Sequence, residues 1–316
     1  MIAGPTASGK TTLSLRIAEA LAKDGVPVEI ISADSRQVYR GMDIGTAKVT
    51  AAQRERVPHH GLDLVDPDEA FSVADYTRHV RTVLAGMGTR GVLPILVGGT
   101  GLYLRSAVRG LPVDDLPSDT EERARLEAEL VRDGLAATAA RLREVAPRLA
   151  AATDTRNPRR VVRALEIALL GGDRERPAFN GYPGPVSWIG PVSGTEDLRS
   201  RIASRAAAQF AGGLIEEAEG LRARFGPDAR AFSAFGYAEA FDVLDDRLNL
   251  TDAIDVDTNR TLAFARRQRT WFRSEPGIEW IPTGAGHPDA LSSALVVARR
   301  LAERREQAGR PSVVGR

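Results

Sequence analysis

The eight residues Gly4-Pro5-Thr6-Ala7-Ser8-Gly9-Lys10-Thr11 constrain this chain more than any other feature. They match the phosphate-binding pattern G-x-x-x-x-G-K-[ST] at each fixed position, and that pattern works between the end of a β-strand and the start of a helix. Its glycines let the backbone curl until several N–H groups point at one anion. The helix N-terminus adds positive potential, Lys10 neutralises terminal oxygens, and the Thr11 hydroxyl is placed to ligate Mg2+. The expected contacts to a di- or triphosphate are therefore Gly4, Thr6, Ala7, Ser8, Gly9, Lys10 and Thr11. By motif alone this is a nucleotide-binding loop of the ATP-binding kind.

The surrounding chain alternates short β-rich runs with helical patterns, which is the pattern of βαβ units and a parallel sheet. Residues 1–3 read as the end of a first strand, and three residues are few for a central one. Residues 10–23 read as a helix with Leu13, Ile17 and Leu21 on one face, residues 28–32 as a second strand, and VLPILV at 92–97 as a buried third. From about 117 to 168 the character changes to charged, alanine-rich helical segments such as TEERARLEAELVRD and RRVVRALEIALL. Residues 171–191, rich in Gly and Pro, read as a loop and return hinge with a short strand at 186–190. Thr195 is expected to cap the following helix, a long helix is expected over 252–273, and the end after Glu303 is expected to fray. The fold expected is α/β, a P-loop NTPase-like parallel-sheet core at 1–116 and 186–316 with an all-helical insertion at 117–185.

Composition narrows the function classes. A chain of 316 residues accommodates about two domains, and 43% apolar with 27% charged residues is an ordinary globular balance. The absence of cysteine excludes disulfides, thiolate metal sites and a cysteine nucleophile. No apolar stretch approaches the ~18 residues that cross a bilayer. The glycine-rich loop begins too close to Met1 for a leader, so no membrane partner and a cytoplasmic place are expected. A net charge of +1 says little about polyanions, because distribution matters more than the sum. Only Lys10, Lys23 and Lys48 are lysines.

Asp34 follows the second strand at the carboxyl edge, where open α/β sheets bind ligands. It is a candidate general base or metal ligand, and equally a candidate helix cap. Val97-Gly-Gly-Thr-Gly101 ends the next strand, with Thr100 offering a hydroxyl and the glycines allowing close approach, either to a ligand or in a plain turn. Arg201 and Arg205 stand four apart on one helical face, a spacing suited to phosphate. Residues 259–273 carry Arg260, Arg266, Arg267, Arg269 and Arg273 without an acid, interleaved with Phe264, Trp271 and Phe272. Such a helix suits a nucleic-acid backbone or an exposed base, and equally a solvated arginine face over a buried aromatic stripe. Arg156, Arg159, Arg160 and Arg163 form a similar cluster. His59 and His60 lack a third spaced ligand and read as loop or phosphate contacts.

Together GPTASGKT, DSRQVYRGMDIGTAK, PHHGLDLVDP, VGGTGLY, RRVVRALEI and RRQRTWFR, in this order, resemble the tRNA dimethylallyltransferase (tRNA isopentenyltransferase) family over about residues 4–280. The lack of any zinc-finger extension points to the bacterial type. The resemblance implies transfer of a dimethylallyl group from dimethylallyl diphosphate to the exocyclic amine of the adenine 3′-adjacent to the anticodon, in tRNAs reading U-starting codons. It implies Asp34 as general base, Thr6 as its neighbour, and Arg205 joining Lys10 and Thr11 on the diphosphate. It implies that the helical insertion grips the anticodon stem–loop, with Ser35, Gln37, Thr100, Gly101, Arg160, Arg163, Arg266, Arg267, Gln268 and Trp271 on the RNA side. A monomer is implied. One departure stands out: the turn before RRVVRALE reads Thr155-Arg156-Asn157-Pro158 where the family usually has an Asn-Asp pair. A small-molecule kinase, an isopentenyltransferase acting on free adenylate, and a non-catalytic nucleotide-gated RNA-binding module are the rival readings.

Overall fold

The computed structural model describes residues 1–111, 116–174, 181–283 and 290–309. It divides into two compact units, Gly110–Asn180 and the rest of the chain.

The larger unit opens with β1 (Ile2–Ala3), α1 (Lys10–Lys23), β2 (Val28–Ser32), α2 (Ala51–Arg56), β3 (His59–His60), α3 (Val73–Thr89), β4 (Leu93–Gly98) and α4 (Gly101–Arg109). It resumes with β5 (Trp188–Val192), α8 (Thr195–Ala211), α9 (Leu214–Phe225), α10 (Tyr237–Leu244), α11 (Leu250–Arg273), β6 (Ile278–Pro282) and α12 (Ala290–Gly309). Six strands pair in the order β3-β2-β4-β1-β5-β6, each pair parallel. This is the α/β P-loop core expected from the motif.

Strand alternation explains why helices cover both faces. Ile31 and Leu96 join a core with Tyr76, Leu104, Tyr237 and Phe272, whereas Ile30, Ile95 and Val97 join another with Leu13, Ile17 and Leu21 of α1. Every residue of β2 is buried, as a parallel strand sandwiched between helices requires. β1 lies between β4 and β5, and the chain leaving it crosses over β4 to form β2. The crevice beyond the carboxyl ends of the strands at this reversal is where such sheets hold ligands.

Several details correct the sequence reading. His59 and His60 are not loop residues: they form the edge strand β3, with His60 Nε2 bonded to Glu29 at 2.7 Å and His59 Nδ1 to the Val57 carbonyl. The expected third strand is thus β4. Thr195 does not cap α8, since Gly194 occupies the cap position without a side-chain bond. The long helix begins at Leu250, because Asn249 accepts from the Asp252 amide. α12 continues past Glu303 to Gly309, and residues 310–316 lie outside those described.

The smaller unit contains α5 (Thr120–Val145), α6 (Pro147–Ala151) and α7 (Pro158–Gly171), with no strand among its described residues. Gly134 interrupts α5 at φ 81, a conformation that glycine adopts without the Cβ penalty. Leu126, Leu142, Leu149, Val161 and Leu165 form its core. Asn157, in the turn that departs from the family pattern, caps α7 by accepting from the Arg160 amide, and Pro158 fits the first helical position. No described helix is long and apolar enough to cross a membrane.

Candidate active site

The loop between β1 and α1 has the conformation that anion binding needs. Gly9 caps α1 at φ 89 and Ala7 is held at φ 60, a left-handed conformation costing an L residue about 1–2 kcal/mol. Such strain persists where surrounding structure enforces it, commonly at ligand sites. Ala7 rests against a small cluster of Leu198, Ile202, Leu262 and Ala265, where α8 and α11 pack together. The Ser8 hydroxyl is buried and has no hydrogen-bond partner among the described residues. Lys10 Nζ donates to the Pro5 carbonyl at 2.6 Å.

Charge converges on this loop from three elements. Burial lowers the Lys10 pKa to about 7, with Asp34 opposing and Arg205 reinforcing the shift. Burial also lowers the Arg205 pKa, while Asp257 and then Asp34 raise it. Asp34, Lys10 and Arg205 are therefore within electrostatic reach of one another, although they are far apart in sequence. Arg205 makes no hydrogen bond or ion pair among the described residues, whereas Arg201 pairs with Asp197 at 3.0 Å and reaches toward Gly9. Asp34 turns one oxygen to the Arg36 amide at 2.8 Å. Tyr76 and Tyr103 stack at 4.0 Å, and both phenols are raised by burial, with a contribution from Asp34.

The loop after β4 meets this arrangement from the side. Thr100 Oγ1 accepts from the Ser35 amide at 3.1 Å, joining the Asp34-Ser35 turn to β4. Its glycines are required by the protein's own groups: an added Cβ would lie 2.0 Å from the Ala33 carbonyl at Gly98, 2.4 Å from Gln268 at Gly99 and 2.3 Å from the Trp271 ring at Gly101. Close approach by a ligand is not needed to explain them.

The residues expected on the RNA side divide by what they already touch. Gln37 accepts from Ser32 Oγ and donates to the Thr46 carbonyl, and Gln268 bonds to Thr6 and Gly99. The Trp271 ring packs against Gly101, and the Arg105 guanidinium lies over it, 4.4 Å from the ring centroid. Arg163 pairs with buried Glu166 at 2.7 Å and donates to the Pro117 carbonyl. Arg160, Arg266 and Arg267 are exposed and pair with no acid among the described residues.

Sequence reasoning missed the supports of the GMDIGTAK segment. The Glu217 carboxylate accepts from the amides of Asp43, Ile44 and Gly45 and from the Tyr237 hydroxyl at 2.5 Å. Gln209 donates to the carbonyls of Ile44 and Gly45. Lys48, its side chain buried, donates to Tyr39, Asp43 and Asp63. A cavity of about 780 Å³ opens between this segment and α8, with Arg205 in its wall. The glycine of IGT was the one available signal, since a Cβ on Gly45 would strike Tyr237 at 2.3 Å.

The family model described as IPP transferase matches residues 37–275. The chain belongs to the IPP transferase family. It is accordingly an enzyme, a prenyltransferase. It is 42% identical over 299 residues to a tRNA dimethylallyltransferase of Geobacter sulfurreducens, covering 93% of this chain and 94% of that one. A tRNA dimethylallyltransferase of Symbiobacterium thermophilum is 41% identical over 319 residues, covering 98% of each. The crystal structure of the full-length tRNA isopentenylpyrophosphate transferase of Bacillus halodurans matches with a TM-score of 0.70 at 37% identity, covering 97% of each chain.

Proposed function

We propose that this enzyme transfers the dimethylallyl group of dimethylallyl diphosphate to the exocyclic amine of the adenine 3′-adjacent to the anticodon, in tRNAs reading U-starting codons. The observation that carries the reading is one carboxylate, Asp34, within electrostatic reach of two cations, Lys10 and Arg205, at a P-loop. An allylic diphosphate needs its departing diphosphate stabilised and its weak amine nucleophile deprotonated. Those are the two tasks that this arrangement separates.

In the proposed step the carbon–oxygen bond to the diphosphate breaks while the allylic cation delocalises the developing charge. Lys10, Arg205, the loop amides and the buried Ser8 hydroxyl receive the negative charge of the leaving group. The adenine nitrogen bonds to the allylic carbon, and Asp34 accepts the proton that the amine loses. The Thr6 hydroxyl lies on the same loop as the anion site and is assigned to the amine beside Asp34. Thr11 at the start of α1 offers a hard oxygen, and no group of three or more His, Cys, Asp or Glu among the described residues would hold a metal alone. That donor set fits Mg2+, which takes few protein ligands and completes its shell from phosphate and water. When bound, the ion would neutralise diphosphate charge.

The adenine must leave its stack to reach such a site, at a cost of a few kcal/mol. We assign the helical unit, with Arg160, to the anticodon stem–loop, and Arg266 and Arg267 on α11 to its phosphates. The enzyme is proposed to act as a cytoplasmic monomer. Incubation with unmodified tRNA, dimethylallyl diphosphate and Mg2+, followed by nucleoside mass analysis, tests the reading. One adenosine gaining a C5H8 unit is expected, whereas ATP turnover without transfer would favour the kinase reading.

A further inference from the structure

Gln268 stands on α11 at the meeting point of the two loops that the proposed reaction must hold in register. Its Oε1 accepts from the Thr6 amide at 2.8 Å and its Nε2 donates to the Gly99 carbonyl at 2.9 Å. Gln268 is buried, with 7% of the residue exposed. Because one partner is a donor and the other an acceptor, the amide orientation is dictated by them. Gly99 is shaped to this contact, since a Cβ there would fall 2.4 Å from Nε2. Three residues along α11, Trp271 presses on Gly101 in the same way, so the helix seats the loop after β4 at two points.

What the bridge joins matters for the chemistry. On one side is Thr6, whose amide is occupied by Gln268 rather than free for a phosphate, and whose hydroxyl has no partner among the described residues. On the other side Gly99 leads into Thr100, which accepts from the Ser35 amide next to Asp34. A continuous path therefore runs from Thr6 through Gln268, Gly99, Thr100 and Ser35 to Asp34. The buried amide of Gln268 makes its two bonds costly to leave unmade.

We propose that Gln268 is a positioning residue for prenyl transfer: it clamps the P-loop at Thr6 to the loop after β4, and so sets the place of the Thr6 hydroxyl relative to Asp34. It acts through these groups and does not contact RNA. This inference rests on the assignment of Asp34 and Thr6 to the amine. Displacing a reacting group by about 1 Å can cost about 100-fold in rate, so the effect of losing the clamp falls on turnover rather than on substrate capture.

The test is steady-state kinetics of Gln268→Leu, Gln268→Glu, Gly99→Ala and the Gln268→Leu/Gly99→Ala double variant, with tRNA and dimethylallyl diphosphate varied separately. The expected result is a fall in kcat of about 10- to 100-fold, with both KM values within about threefold of wild type. Gly99→Ala breaks the same contact from its other end, so the double variant should be no slower than the slower single. Raised KM for tRNA with kcat retained would overturn the proposal in favour of an RNA contact. Losses that multiply in the double variant would also overturn it, as would unchanged kcat in the singles. Should Gln268→Leu fail to fold, Gln268→Glu and Gly99→Ala carry the same comparison. Absence of transfer by the wild type would instead bring down the functional reading itself.

Discussion

The ammonium of Lys10 donates to the carbonyl of Pro5, 2.6 Å away in its own loop, while burial lowers its pKa to about 7. The loop thus folds this cation back on itself, and in the proposed reaction the diphosphate offers Lys10 a stronger partner than the carbonyl. A pKa lowered to about 7 brings the charge of Lys10 within reach of neutral pH. Binding an anion favours the charged form, so affinity for dimethylallyl diphosphate should weaken as pH rises above 7, by at most about tenfold per unit. Calorimetry in buffers of different ionisation enthalpy should show proton uptake on binding at pH 7.5. The same shift acts on stability with a definite sign: between about 7 and the unfolded value the unfolded chain holds more protons, so this group's destabilising effect diminishes as pH rises through that window.

Asp257 carries the opposite case. Burial and the neighbouring Glu239 raise its pKa to about 6, against the partial opposition of Arg205. Between about 4 and 6 the folded chain therefore holds the extra proton, and stability should fall as pH rises through that window. Asp257→Asn should flatten that slope, by on the order of 2 kcal/mol across it. Urea unfolding at pH 4.5 and 6.5 measures the difference, and an identical slope in the variant would contradict the burial argument.

Glu217 should behave as a structural pin. Glu217→Ala leaves three amides of the GMDIGTAK turn and the Tyr237 hydroxyl without their acceptor. The expected cost is about 1–3 kcal/mol. At about 2–4 °C per kcal/mol for a chain of this size, the thermal midpoint should drop by several degrees. Glu217→Gln, which keeps the acceptor oxygen, should lose less.

The arginines separate by their present partners. Arg267 is exposed, pairs with no acid among the described residues and lies 5.7 Å from the Phe264 ring. Arg267→Ala should weaken tRNA binding and shallow its salt dependence by about one unit of slope or less. Arg163 is tied to Glu166, whose buried carboxylate also holds Arg123 and the Asp119 amide. Arg163→Ala should destabilise the helical unit and leave the salt slope alone. Filter binding from low to high salt distinguishes the two, and a reversed ranking would refute this division.

Local signals account for the parts that were legible in the sequence. The P-loop placed β1, α1 and the candidate anion loop, and the short β-rich runs VEIIS and VLPILV placed two buried strands of the sheet. The edge strand at His59 and His60 was hidden because two residues in a Pro-rich, Gly-flanked stretch show no periodicity. The glycines of VGGTG were visible but their purpose was not, since Ala33, Gln268 and Trp271 come from other parts of the chain. Polar residues were the hardest to place. Gln37, Gln268 and Arg163 have side chains suited to RNA, yet distant backbone groups and a buried carboxylate already engage them. Glu217 and Asp257 carried no motif, because their partners are set by tertiary packing alone.

In the proposed reaction Asp34 takes the proton from the adenine amine while the P-loop and Arg205 hold the departing diphosphate. Label transfer from dimethylallyl diphosphate to unmodified tRNA by the wild type and by Asp34→Asn, with diphosphate affinity measured in parallel, tests it most directly. Labelled tRNA is expected from the wild type, and a kcat lower by about 10² to 10⁴-fold in the variant, with diphosphate binding nearly retained. Transfer by Asp34→Asn at the wild-type rate, or a loss that tracks failed diphosphate binding alone, would contradict it.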